Sequence, residues 1–172
     1  PLVVIGRTAA QPVTTLIPDT TSPIVTFSQI DLTSEEVILI FAEPVRIDTL
    51  IVSSVGIRAT TAGAITFLSL DSTAVTTVNG LNATISLGTL DLNVIKALPL
   101  LATSASNSLV SVADAIKDMA GNNATDAAYP VDAFTGDTTA PVLVGAQLDM
   151  NTGEITLTFS ETINSSTLVA TQ

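Results

Sequence analysis

The stretch Val37-Ile38-Leu39-Ile40-Phe41-Ala42-Glu43 returns 118 positions later as Ile155-Thr156-Leu157-Thr158-Phe159-Ser160-Glu161. In both copies the first, third and fifth positions are apolar, the period of two that a half-buried β-strand needs. The positions between them are Ile38 and Ile40 in one copy but Thr156 and Thr158 in the other. The face that stays apolar in both must be the core face, and a glutamate follows it each time.

The same offset runs outward without a gap. Asp19-Thr20-Thr21-Ser22-Pro23 returns as Asp137-Thr138-Thr139-Ala140-Pro141, and Asp31, Glu36, Thr49 and Leu50 return as Asp149, Glu154, Thr167 and Leu168. Further upstream, Ala9, Ala10, Pro12 and Val13 return as Ala127, Ala128, Pro130 and Val131. A domain-sized period marks a tandem array. It predicts one complete repeat at 19–136, the C-terminal strand of an upstream repeat at 1–18, and the first two strands of a downstream repeat at 137–172. Because the chain opens on Pro1, both ends are expected to be cuts in a longer polypeptide.

Composition narrows the partners. Hydrophobic residues make up 47% of the chain and aromatics 3%, so the core must be aliphatic. Serine and threonine supply about a quarter of the residues, which gives a hydroxyl-rich surface rather than an ionic one and suits an extracellular or cell-surface location. A net charge of −11 with five cationic residues excludes nucleic acid, because neutralising phosphates takes clustered Lys and Arg. The longest apolar stretch, Val94–Ala102, is too short to span a bilayer and carries Lys96 and Pro99, so no membrane insertion is expected. There is no cysteine and no histidine, which removes disulfides, thiol chemistry and the usual activators of serine. No catalytic residue is proposed.

Strand patterns punctuated by turns fill the repeat. Strands are expected from Pro23 to Leu32, at Gly56–Thr60, Ala64–Leu70, Val75–Val78, Leu109–Val112 and Val131–Thr135, with one helical turn at Arg46–Leu50. Asn79-Gly80 reads as a hairpin turn leading into Leu81–Leu87, with Leu81, Ala83, Ile85 and Leu87 inward. Asp91 reads as the cap of a helix ending near Pro99. The sum is an all-β, two-sheet sandwich with one short helix.

The Asp-Thr-Thr-x-Pro linker, the strand ending Leu-x-Phe-x-Glu (Leu39–Glu43, Leu157–Glu161) and Asp-x-x-Gly-Asn at Asp118–Asn122 resemble bacterial-type immunoglobulin-like repeats. Such repeats occur in S-layer proteins, large adhesins and microbial extracellular fibrils. The resemblance implies Ig-like sandwiches in tandem. The helix and the length of the repeat depart from the simplest members, and Val4 stands where Asn122 would recur.

In a sandwich of that kind Asp19, Glu43 and the loop Asp118–Asn122 would meet at one pole, at the junction with the preceding repeat. Their hard oxygens suit Ca²⁺, and the resemblance implies calcium at such linkers. The other reading leaves Asp19 capping a turn, Glu43 paired with an arginine, and Asp118 and Asn122 in Asx-turns around Gly121. Pro18, Pro23 and Pro141 would stiffen the linkers. Sequons at Asn82, Asn123 and Asn164 make covalent glycans a second expected modification. The function read from these features is structural: a subunit of an extracellular filament, surface layer or stalk whose partner is itself, through tandem or strand-exchanged repeats. The alternative is an adhesin repeat that binds a carbohydrate or surface ligand, for which Tyr129 is the lone tyrosine available for stacking.

Overall fold

The computed structural model describes residues 12–60, 67–71, 73–74, 76–98 and 100–169. Most of the expected upstream strand, the start of the strand expected at Ala64, Val75 and the expected helix stop Pro99 lie outside the described residues. In chain order the strands are β1 (Val25–Asp31), β2 (Glu36–Arg46), β3 (Val55–Ala59), β4 (Phe67–Ser69), β5 (Thr73–Ala74) and β6 (Gly80–Ser86). Helix α1 (Thr89–Ala97) follows, and then β7 (Ser108–Val112), β8 (Lys117–Asp118), β9 (Ala127–Pro130), β10 (Ala133–Thr135), β11 (Leu143–Asp149) and β12 (Glu154–Phe159). One sheet runs β10-β1-β2-β6-β5, with β8 also paired to β2; the other runs β4-β3-β7-β9. Strands β11 and β12 pair with each other.

The two larger sheets share one core, so the chain has a sandwich-like all-β fold with one helix. From β2, Val37, Leu39 and Phe41 are buried, as the alternation requires, and Ile38 and Ile40 are half-buried. They join Ala83 and Ile85 of β6, Ile57 of β3, and Val110 and Val112 of β7. At about 25 cal/mol per Å² of apolar surface removed from water, such aliphatic burial is the main stabilising term.

Four local expectations are corrected. The final strand expected at Val131–Thr135 is the shorter β10, running parallel to β1, and an unexpected strand, β9, precedes it on the other sheet, paired with β7. The crossing is held by buried Ser28, whose Oγ donates to the Pro130 carbonyl at 2.8 Å and whose N–H donates to Asp132 Oδ2 at 2.8 Å. The helix starts earlier than Asp91: Gly88 is its N-cap, and Asp91 lies inside the first turn, where its oxygens accept the Asp71 N–H at 3.2 and 3.0 Å. Leu81 is 46% exposed rather than inward, because the β2–β6 register shifts between Ile40 and Val45 and breaks the alternation at the start of β6. The Asn79-Gly80 pair does not form the expected two-residue turn. Among the described glycines only Gly121 and Gly153 have positive φ, and Asn79 Oδ1 instead accepts the Ile47 N–H at 3.0 Å.

The hairpin β11–β12 repeats β1–β2. The pairings Val25↔Phe41 through Asp31↔Glu36 recur as Leu143↔Phe159 through Asp149↔Glu154, with the bulge at the same place. In each turn an aspartate Oδ1 accepts two backbone N–H groups: Asp31 from Thr33 and Ser34, Asp149 from Asn151 and Thr152. A 3₁₀ turn follows each hairpin, at Ile47–Thr49 and at Ser165–Thr167. What differs is cover. Val37 and Leu39 are fully buried, whereas Ile155 and Leu157 are 67% and 37% exposed.

That difference predicts the cost of truncation. Leu39→Ala is expected to lose ~2–5 kcal/mol in urea unfolding, and Leu157→Ala less than about 1 kcal/mol. The turns also differ at the left-handed position: Glu35 holds φ 62° where the second hairpin has Gly153 at φ 72°. A left-handed backbone penalises a residue with a Cβ by ~1–2 kcal/mol, so Glu35→Gly is expected to raise the melting temperature by about 2–4 °C.

Candidate cation site and the repeat junction

Three elements deliver carboxylates to one pole of the sandwich. Asp19 belongs to the linker before β1, where its Oδ1 accepts the Thr21 N–H at 2.9 Å. Glu43 lies near the end of β2, inside the register shift between Ile40 and Val45. Asp118 ends β8, whose pairing with β2 sets it opposite Val45. One carboxylate oxygen from each of the three lies within 4.8 Å of the other two. The sequence-predicted residues Asp19, Glu43 and Asp118 thus meet in space, and Asn122 joins them by donating from Nδ2 to the Asp19 carbonyl at 3.2 Å and to Asp118 Oδ2 at 2.7 Å.

The members differ electrostatically. Asp118 is buried, which pushes its carboxyl up, but the Asn122 side chain and the N–H groups of Asn122, Gly121 and Ala120 outweigh burial and hold it below the ordinary value. Its Oδ1 alone accepts all three amides, at 2.8, 2.6 and 2.8 Å. Asx-type bonding at this loop is therefore present, with Gly121 at φ 101°. Glu43 is the opposite case. Loss of solvent, then the charges of Asp19 and Asp118, raise its carboxyl above the ordinary value. Of the described arginines, Arg46 pairs with Asp48 at 2.8 Å and not with Glu43. Negative charge is therefore crowded at this pole, and a cation there would relieve it.

The other end of the sandwich carries the equivalent pair. Asp137 repeats the linker turn, its Oδ1 accepting the Thr139 N–H at 2.9 Å, and Glu161 follows β12. Both close on Lys96 in the last turn of α1: Nζ is 2.9 Å from Asp137 Oδ2 and in direct hydrogen-bonding contact with Glu161 Oε2. The three side chains are only 12–20% exposed. Burial disfavours the Lys96 ammonium, but its hydrogen bonds to Glu161 and Asp137 and their charges raise it above its ordinary value; Asp137 is held low chiefly by Lys96, against its own burial. Beside it, Thr162 Oγ1 donates to Asn93 Oδ1 at 2.8 Å. The sequence reading missed Lys96. The available signal was a single cation inside the apolar stretch Val94–Ala102.

The remaining expected residues are dispersed. Pro23 is buried and its carbonyl accepts the Thr125 N–H at 3.0 Å, while Pro18 and Pro141 are exposed. Asn82 is exposed on β6 and Asn123 is exposed beside Lys117. Asn164 is exposed, and its Oδ1 caps the following 3₁₀ turn through the Ser166 N–H at 3.1 Å. Tyr129 is half-buried, its hydroxyl donating to the Thr125 carbonyl at 3.4 Å. No helix among the described residues is long and apolar enough to cross a membrane.

No protein-family model matches the sequence, and no curated protein matches it. Among solved structures the chain is similar to fragments of S-layer proteins. The S-layer protein rSbsC(31-844) matches over 76% of this chain and 16% of its own, at 20% identity and a TM-score of 0.46. The N-terminal part of the bacterial S-layer protein SbsC matches over 88% and 33%, at 18% identity and 0.45. Surface layer protein SbsC, domains 1–6, matches over 80% and 18%, at 17% identity and 0.47. The chain spans a third or less of each of these relatives.

The titrations have opposite signs. Glu43, raised above 4.5, opposes folding while ionised, and that penalty is relieved as pH falls toward 4.5. Asp31, Asp118, Asp137 and Asp149, held below 3.8, contribute stability that is complete above 3.8 and is lost as pH falls through their folded values. Thermal melts across the acid range are therefore expected to peak between neutrality and the carboxylate range, then fall steeply. In Glu43→Gln the rise from neutral pH should flatten while the acid fall remains.

Proposed function

We propose that the chain is part of a structural subunit of a cell-surface layer or filament, built from Ig-like repeats in tandem, with an extracellular and mechanical role. The observation that carries this reading is the hairpin β11–β12, which reproduces the register, bulge, aspartate turn and linker turn of β1–β2. A second start of the same sandwich, reached through a linker as short as Asp137–Ala140, gives length and a fixed angle rather than a cleft. Few soft dihedrals remain in such a linker, and Pro141 removes another. The exposed apolar residues of β11–β12 match buried ones in β1–β2, so they need either the rest of their own repeat or strands from a neighbouring subunit. S-layer function belongs to the similar structures by name, and this proposal extends it to the present chain.

The carboxylate pole fits a role as a joint. Asp19, Glu43 and Asp118 are hard oxygen donors, and calcium is the inorganic cation they suit. A cation held there would neutralise the crowding that raises Glu43 and tie the linker to the β2 and β8 ends. Asn82, Asn123 and Asn164 are exposed and open to glycans. The adhesin alternative finds less support. The groove at the second junction is lined by Lys96, Ala97, Thr162, Ile163, Asn164 and Ser165, without an aromatic platform for a sugar.

Two measurements on native material test the reading. The mature polypeptide is expected to be far heavier than the 17.6 kDa of this chain, and electron microscopy is expected to show a lattice or fibres. A mature chain near that mass that forms fibres would favour strand exchange over covalent tandem repeats. Monodisperse particles of that mass with no higher assembly would refute the proposal.

A further inference from the structure

The acidic pair at the second junction is filled by protein. Asp137 and Glu161 enclose Lys96, which reaches them from the last turn of α1 in the sandwich before them. One period earlier the same two positions are Asp19 and Glu43, on the same linker turn and the same strand end. We infer that Asp19 and Glu43 are a socket for a lysine ammonium presented by the helix of the preceding repeat, as Asp137 and Glu161 receive Lys96. This inference rests on the reading of the chain as one of a tandem series, and it names the cation that closes the pole.

Donor counting favours an ammonium over a metal ion. A lysine brings three N–H donors and no acceptor, and Asp19 and Glu43 offer it two carboxylates, the number that meets Lys96 at the second junction. Calcium takes six to eight oxygen ligands. Asp118 has little left to give it, since Oδ1 already accepts three amides and Oδ2 accepts Asn122 Nδ2. Charge points the same way. At the second junction the lysine sits with two carboxylates in a largely desolvated contact, a geometry in which removing one partner strands a buried charge. At the first pole loss of solvent, and then the charges of Asp19 and Asp118 within 4.8 Å, hold Glu43 high, and an incoming ammonium would offset the second of these.

The sockets are not identical. Thr162, whose hydroxyl binds Asn93 beside Lys96, has Pro44 as its counterpart. The hydroxyl anchor is therefore missing from the first socket, and Asp118, its oxygens held by its own loop, lies beside it. Successive joints would share the lysine and differ in the contacts around it.

Zero-length coupling of native, assembled protein with a water-soluble carbodiimide tests this directly. The reagent activates a carboxylate and an amine in contact displaces it. An amide forms, and the carbodiimide takes up the oxygen and leaves as its urea. Peptide mass spectrometry should find Lys96 joined to Glu161 or Asp137 as an internal reference. It should also find Asp19 or Glu43 joined to a lysine from a helix of the preceding repeat, with yields unchanged by millimolar calcium or chelator. The reference link without any link at Asp19 or Glu43 would overturn the inference while leaving the tandem reading intact. Loss of the Asp19 and Glu43 links on adding calcium, with a melting rise that Glu43→Gln abolishes, would overturn it in favour of a metal. A mature mass near 17.6 kDa would instead remove the tandem reading beneath it.

Discussion

Strand β2 must satisfy two demands at once, and the rest of the molecule is arranged around how it does so. Its backbone pairs with β1, β6 and β8, while Val37, Leu39 and Phe41 must all point into the space between the sheets. Side chains on a strand alternate strictly, so a one-residue slip would turn that face to solvent. The register shift between Ile40 and Val45 absorbs the conflict at the strand's end. Beyond it Val45 is buried again, β8 can pair, and Glu43 is left at the rim. The strand that closes the core thus also supplies the charge at the pole.

Charge at the two poles is managed by different means. Asp118 is neutralised locally by the amides of its own loop, an arrangement that stabilises a buried carboxylate without a cation. Glu43 is raised by loss of solvent and then by the charges of Asp19 and Asp118. Glu161 and Asp137 meet the same problem through Lys96, carried on an element of the sandwich before them. Burying such a trio costs desolvation that the ion pairing must offset, so its value lies in fixing one geometry more than in raw stability.

Much of this was legible in the chain because it is local or periodic. The alternation at Val37–Phe41 announced a half-buried strand, and its return at Ile155–Phe159 identified the core face. Asp-x-x-Gly-Asn announced a loop with a left-handed glycine, seen at Gly121. The meeting of Asp19, Glu43 and Asp118 followed once two strand ends and a late loop were assigned to one pole. Other features depend on neighbours far along the chain. Asp91 resembled a helix cap, yet it serves the Asp71 amide across an interior contact. Leu81 obeyed the alternation but falls where the register shifts. Strand β9, ahead of the strand expected at Val131–Thr135, went unforeseen because nothing local reports that Ser28, a hundred residues away, holds a crossing between sheets there.

By itself the sequence determined the strand period, the turn chemistry, the aliphatic core and the spacing of the hairpin that recurs, because each is set by residues within a few positions of one another or by a repeated string. Only the tertiary structure decided where the chain changes sheets, which carboxylates are shielded by amides, and that Lys96 reaches Asp137 and Glu161. These outcomes depend on distance and desolvation between segments remote in the chain. A lone lysine in an apolar stretch carries no mark of the partner that makes its burial tolerable.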